Sequence, residues 1–143
     1  MKEYQSLSHT RWDCKYHIVF IPKRRKKRIF GALRKHFGEI FHELAGHRES
    51  KIIEGHLMSD HVDMCIRIPP KYAVAQVVGD IKGKSAIHIA RKFAGRQRNF
   101  TGENFWARGN FVSTVGLDEN MVRAYIRNQE QEDERYDQIK LGV

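Results

Sequence analysis

The chain of 143 residues sets 26 Lys and Arg against 17 Asp and Glu, a formal charge of +9. A chain of this length is expected to form one domain over residues 1–143, with a core that needs no metal or disulfide staple; Cys14 and Cys65 are too few for a disulfide framework. The apolar stretches are short and interrupted and the first residues lack an apolar segment, which argues against a membrane-spanning or exported protein and leads to the expectation of a soluble, cytoplasmic one.

A first strand is expected from Trp12 to Ile21, where the run Ile18-Val19-Phe20-Ile21 is β-branched and aromatic and Pro22 stops it. Its exit is a run of six cations, Lys23, Arg24, Arg25, Lys26, Lys27 and Arg28. Like charges at this density repel one another unless a polyanion or solvent screens them. The run therefore points to a phosphate backbone, with a solvated loop as the plain alternative. From Arg28 to about His47, Phe30, Leu33, Phe37, Ile40, Phe41 and Leu44 fall at the three-and-four spacing of a helix with one buried face. Strands follow from Lys51 to Met58 and from His61 to Ile68, joined by a Ser59-Asp60 turn and ended by Pro69-Pro70. A second helix is expected from Ala73 to about Phe93, and Lys82, Lys84, Arg91, Lys92, Arg96 and Arg98 form a second cationic cluster. Asn104 to Val112 reads as a short, aromatic-rich fourth strand. A last helix, capped near Asp118, carries Met121, Val122, Tyr125 and Ile126. Residues 1–28 hold nine basic and two acidic side chains and residues 118–137 three and seven, so the front is basic and the tail acidic.

Strand, helix, strand, strand, helix, strand and an added C-terminal helix is the split βαβ order of a ferredoxin-like α+β fold with an antiparallel sheet. That architecture hosts many chemistries, so function has to be argued from side chains. Along the third strand Val62, Met64, Ile66 and Ile68 face one way, toward the helices, while His61, Asp63, Cys65 and Arg67 face the other. His61 and Asp63 thus stand side by side, as two metal ligands on one strand would. A two-residue turn at Ser59-Asp60 sets Met58 opposite His61, Leu57 opposite Val62 and His56 opposite Asp63, where His56 could orient or supplement the pair. From this segment alone an ordinary half-buried strand is the favoured reading. In the last helix Tyr125 and Gln129 are four residues apart and share a face, with Asn128 beside them. A tyrosine nucleophile suits phosphodiester cleavage because the phosphotyrosine conserves the bond energy for rejoining, but it needs a metal or cations on the phosphate. A lone tyrosine in an amphipathic helix is more often a packing residue.

Two other motifs fail on geometry. In His42-Glu43-Leu44-Ala45-Gly46-His47 the histidines are five apart, which separates them by about 140° around a helix, so no zinc protease site results. Gly79-Asp80-Ile81-Lys82-Gly83-Lys84-Ser85 lacks the first glycine of a P-loop and does not follow a strand.

Taken in order, several segments resemble the single-tyrosine HUH transposases of small insertion sequences, of the 200/605 type. They are the stretch His9 to Phe20, Ser59-Asp60-His61-Val62-Asp63-Met64, Ile68-Pro69-Pro70-Lys71-Tyr72, Lys82-Gly83-Lys84-Ser85, Phe105-Trp106-Ala107-Arg108-Gly109, Thr114-Val115-Gly116 and Tyr125-Ile126-Arg127-Asn128-Gln129. The resemblance covers nearly the whole chain. It implies a ferredoxin-like, RNA-recognition-type sheet and a homodimer that binds DNA hairpins at element ends and cuts the single strand beside them. Tyr125 would be the nucleophile, leaving a 5′-phosphotyrosine and a free 3′-OH. His61 and Gln129 would be ligands of Mg2+ or Mn2+, with active sites shared between the two chains. Hairpin contacts would come from the run Lys23 to Arg28 and from Lys82, Lys84 and Arg108.

The sequence departs from the family pattern at three positions. Asp63 replaces the second histidine of the motif, and Asp80 and Asn110 stand where relatives generally carry an aromatic, typically Tyr. A carboxylate at 63 can still bind a hard cation through oxygen, so a His61, Asp63 and Gln129 set favours Mg2+ or Mn2+. It is also shorter than an imidazole and charged, and a misplacement of about 1 Å can cost on the order of 100-fold in rate. Two further readings stay open: a hairpin-DNA-binding protein of transposase descent that cleaves poorly or not at all, and a generic RNA-binding sheet.

Overall fold

Alternation of apolar residues along two strands, Lys15–Phe20 and His61–Arg67, builds the centre of a four-stranded antiparallel sheet. The structure is a computed structural model, and it describes residues 5–7, 10–23, 31–93, 105–116 and 119–129. In chain order the elements are β1 (Gln5–Leu7), β2 (Thr10–Trp12), β3 (Lys15–Phe20), α1 (Gly31–Gly46), β4 (Lys51–Met58), β5 (His61–Arg67), α2 (Val74–Phe93) and β6 (Phe111–Val115). A third helix, α3, covers residues 119–129. The sheet order β4-β5-β3-β6, antiparallel throughout, is that of the ferredoxin-like fold expected from the sequence. The small antiparallel pair of β1 and β2 was not foreseen. Among the described residues no helix is long and apolar enough to cross a membrane.

The core lies between one face of the sheet and helices α1 and α2. Ile18 and Phe20 from β3, Val62, Met64 and Ile66 from β5, and Phe37, Ile40 and Phe41 from α1 meet Val77, Ile81 and Ile89 from α2. The helical spacing read from α1 therefore places the right face inward. The hairpin register also forms as expected, with Met58 opposite His61, Leu57 opposite Val62 and His56 opposite Asp63.

The fourth strand is the main correction. Asn104 to Val112 was expected to be extended, yet the strand is Phe111–Val115 and the aromatics before it plug the core. Successive strand residues point to opposite faces, so a strand could not send both Phe105 and Trp106 into one core. Here both are buried, Trp106 packs edge-on to Phe20 at 4.8 Å, and its indole N–H donates to Ser85 Oγ at 3.1 Å. Burying a large apolar side chain contributes about 1.5–3 kcal/mol, which outweighs the β propensity of a short segment. The chain then turns through Gly109 at φ 81°, where a Cβ would be strained. Lys82 closes this loop by donating from Nζ to the carbonyl oxygens of Ala107 at 2.9 Å and Gly109 at 2.8 Å.

Candidate active site on the open face of the sheet

The face of the sheet turned away from α1 and α2 carries His17 from β3, His61, Asp63 and Cys65 from β5, and His56 and Glu54 from β4. Helix α3 lies across it. Its contact residues recur at helical spacing: Glu119 accepts from Lys15 Nζ at 3.2 Å, Ile126 is fully buried in a cluster with Cys65 and Val115, and Arg123 donates to Glu54 Oε2 at 3.4 Å. One more turn brings Gln129 over His61. The sheet's second face is thus buried at Asp63 and Cys65, where the strand pattern alone suggested a half-exposed polar surface.

His61 is surrounded by oxygen. Its Nδ1 lies 2.8 Å from Asp60 Oδ1, and its Nε2 lies 3.1 Å from Asp63 Oδ2 and 3.0 Å from Gln129 Oε1. All three partners accept, so both ring nitrogens carry a proton and donate. The hydrogen bond to Asp63 is the main reason the His61 pKa rises from 6.5 to about 9; burial opposes it, and the bonds to Gln129 and Asp60 add to it. Burial alone would raise the Asp63 carboxyl, but hydrogen bonds from His17 and His61, and the charge on those rings, hold it at about 2. The second oxygen of Asp63 is occupied as well: His17 Nε2 donates to Oδ1 at 3.0 Å. Tyr125 is 53% exposed, and its ring meets the His17 ring edge-on at 6.2 Å, so it stays open to solvent next to the histidine that bonds Asp63. Cys65 does not compete as a nucleophile, because burial pushes its thiol up to about 11.

These donors fit a hard divalent cation. Ligands placed about 2.1 Å from an octahedral ion at right angles lie about 3 Å apart. The Asp63 and Gln129 oxygens each stand at that separation from His61 Nε2. Among the described residues no group of three His, Cys, Asp or Glu side chains forms a metal site, so such a centre depends on the Gln129 amide. Ligation also requires His61 to give up its Nε2 proton.

Residues 10–129 match the family described as "Transposase IS200 like". The chain belongs to the IS200-like transposase family. It is 37% identical over 141 residues to the transposase for insertion sequence element IS200 of Salmonella typhimurium, an alignment covering 99% of this chain and 93% of the relative. It is 23% identical over 119 residues to the ISDra2 transposase TnpA of Deinococcus radiodurans, covering 82% and 85% respectively. A putative transposase from Deinococcus radiodurans has a crystal structure similar to this fold, with a TM-score of 0.69 at 22% identity, covering 90% of this chain and 98% of that one. A REP-associated tyrosine transposase bound to a REP hairpin aligns with a TM-score of 0.61 at 14% identity, covering 88% and 70%.

Within this IS200-like transposase the expected site residues divide into three groups. His61, Asp63, Gln129 and Tyr125 come together within a single chain. His56 is buried opposite Asp63, and Asn128 is exposed on α3. Of the expected DNA contacts, Lys23, Lys84 and Arg108 are exposed, and Arg24, Arg25, Lys26, Lys27 and Arg28 lie outside the described residues. Lys82 is half-buried; its ammonium donates to two loop carbonyls, and burial lowers its pKa. The charge of Asp80 beside this segment is matched by Arg48, 2.7 Å away. An open groove of about 380 Å³ runs between α2 and residues 105–110, lined by Lys82, Gly83, Ile87, Trp106, Arg108 and Asn110. His17 and Asp60 were not singled out from the sequence. The strand order places the first strand beside the third, so alternation along β3 could have put His17 on the Asp63 face.

Proposed function

We propose that this transposase binds hairpin ends of an insertion sequence and cuts and rejoins single-stranded DNA through Tyr125, with residues 1–143 acting as one catalytic and DNA-binding unit. The observation that carries this reading is the pairing on one helix of an accessible Tyr125 with Gln129, whose amide oxygen reaches His61. Tyr125 Oη attacks the scissile phosphorus and the 3′ oxygen leaves, which produces a 5′-phosphotyrosine and a free 3′-OH that can later reverse the step. His61, Asp63 and Gln129 would hold Mg2+ or Mn2+, which would supply Lewis-acid polarisation of the phosphate. His17 and the turn of α3 hold the phenol at the edge of that centre. The exposed Lys84 and Arg108 beside the groove, and Lys23 at the head of the basic run, suit a hairpin backbone. A structural relative described as bound to a REP hairpin supports that partner.

A homodimer with shared sites is part of the same reading. Helix α3 rests on its own chain through one fully buried side chain, Ile126, with Val122 partly buried beside it, and otherwise through polar and ring contacts: Lys15 with Glu119, Arg123 with Glu54, His17 with Tyr125 and His61 with Gln129. Such a helix can exchange onto a second copy. Labelled single-stranded DNA carrying an element-end hairpin, with Mg2+ or Mn2+, should give a covalent protein–DNA adduct that Tyr125→Phe abolishes. Hairpin binding without an adduct supports the second reading, a cleavage-impaired hairpin-binding protein. That reading is favoured by one observation: both oxygens of Asp63 are engaged by histidines. Recovery of the adduct in Asp63→His would locate the defect there.

A further inference from the structure

His17 touches both Asp63 on the sheet and Tyr125 on helix α3. It reaches Asp63 through Nε2, and its ring stands edge-on between Tyr125 at 6.2 Å and Phe111 at 6.3 Å. On β3 it shares the site face with Lys15 and Val19, and the sheet register carries it one rung past Asp63, opposite Cys65. Asp63 is almost completely buried. A buried carboxylate with two free oxygens could turn about its last bond and offer either one oxygen or both to a cation. The bond from His17 removes that choice, because it ties Oδ1 and leaves Oδ2 facing His61 Nε2, the atom that Gln129 Oε1 also approaches.

We propose that His17 is the positioning residue of this transposase's metal centre: by holding Asp63 Oδ1 it fixes the carboxylate as a one-oxygen ligand, and its ring seats Tyr125 beside that ligand. The inference rests on the reading of His61, Asp63 and Gln129 as a metal site. It carries a selectivity consequence. Mg2+ and Mn2+ suit a compact set of single-oxygen ligands, whereas Ca2+ accepts more oxygens and a bidentate carboxylate. A partner that orients a ligating side chain typically contributes about 10- to 100-fold in metal affinity. His17→Leu, which keeps an apolar body on β3 and removes the donor, should therefore weaken Mn2+ binding by about that factor while weakening Ca2+ binding much less. His17→Gln retains an N–H donor and should keep Mn2+ affinity within a few-fold of the wild type.

The test is calorimetric titration of Mn2+ and of Ca2+ into the DNA-free wild-type protein and the two variants, with a thermal melt of each. Selective loss of Mn2+ affinity in His17→Leu, restored in His17→Gln, supports the positioning role. Equal losses for both ions, or a His17→Gln variant as weak as His17→Leu, would mean that His17 serves packing alone and would overturn it. Unchanged Mn2+ affinity in His17→Leu overturns it too. A wild-type protein that binds neither ion removes the metal reading itself and the inference with it, a result distinct from all the others.

Discussion

Replacing Asp63 by Asn isolates what the carboxylate contributes to the folded chain. Asn has nearly the same shape, but its single carbonyl oxygen can accept from only one of the two histidines, and it carries no charge. In the wild type the His61 pKa stands at about 9 against 6.5 for the free ring, which corresponds to roughly 3 kcal/mol favouring the charged ring in the folded state. His61 is partly open to solvent, so screening reduces that figure to about 2 kcal/mol. A folded pKa above the unfolded one means that this stabilisation is complete below about pH 6.5 and disappears as pH rises through about 9. Urea unfolding of metal-free protein should therefore show Asp63→Asn less stable by about 2–3 kcal/mol near pH 6 and by only about 1 kcal/mol near pH 10, where the wild-type His61 is neutral as well. The same penalty at both pH values, or none near pH 6, would refute a charged His61 held by Asp63.

The acid limb of the same pair has the opposite sign. Asp63 is held at about 2 against 3.8 for the free carboxyl, so its contribution is present above about pH 3.8 and lost as pH falls through about 2. Acid unfolding of Asp63→Asn should lack that component. Lys82→Met should cost about 1–3 kcal/mol and raise amide exchange in residues 105–110, with little change in the salt dependence of DNA binding. Lys84→Met should reduce that salt slope by about one phosphate contact and leave stability unchanged. Cys65 should resist a thiol reagent until the protein unfolds, while the more exposed Cys14 reacts first; equal rates would contradict the burial that raises its thiol to about 11.

The parts of this fold that local pattern controls were legible in the sequence. Apolar spacing placed Phe37, Ile40, Phe41 and Leu44 on the buried face of α1, and a two-residue turn fixed the β4 and β5 register from Met58 back to Glu54, beyond which an irregularity between Ile52 and Glu54 shifts it by one residue. The fourth strand was misplaced because Phe105 and Trp106 carry strand propensity locally but are claimed by a core assembled from distant elements, Phe20, Phe37 and Ser85. The site was half legible. Tyr125 and Gln129 share a helical face by spacing, and His61 and Asp63 share a strand face by alternation. What joins them, His17 from β3 and the docking of α3 through Ile126, depends on contacts between segments far apart in the chain, which no local period encodes. Lys82 shows the converse. Its place in a basic cluster suggested a DNA contact, and only the path of the 105–110 loop reveals that its ammonium also braces two backbone carbonyls.

Peptide mapping of the covalent product tests the central claim most directly. The protein is incubated with single-stranded DNA containing a hairpin and Mn2+, digested with nuclease and protease, and the peptides are weighed. The nucleotide should be found on the peptide carrying Tyr125, and should be absent when Gln129 is replaced by Ala. Nucleotide attached to Tyr4, Tyr16, Tyr72 or Tyr136 instead, or a hairpin bound tightly with no modified peptide at all, would contradict the account.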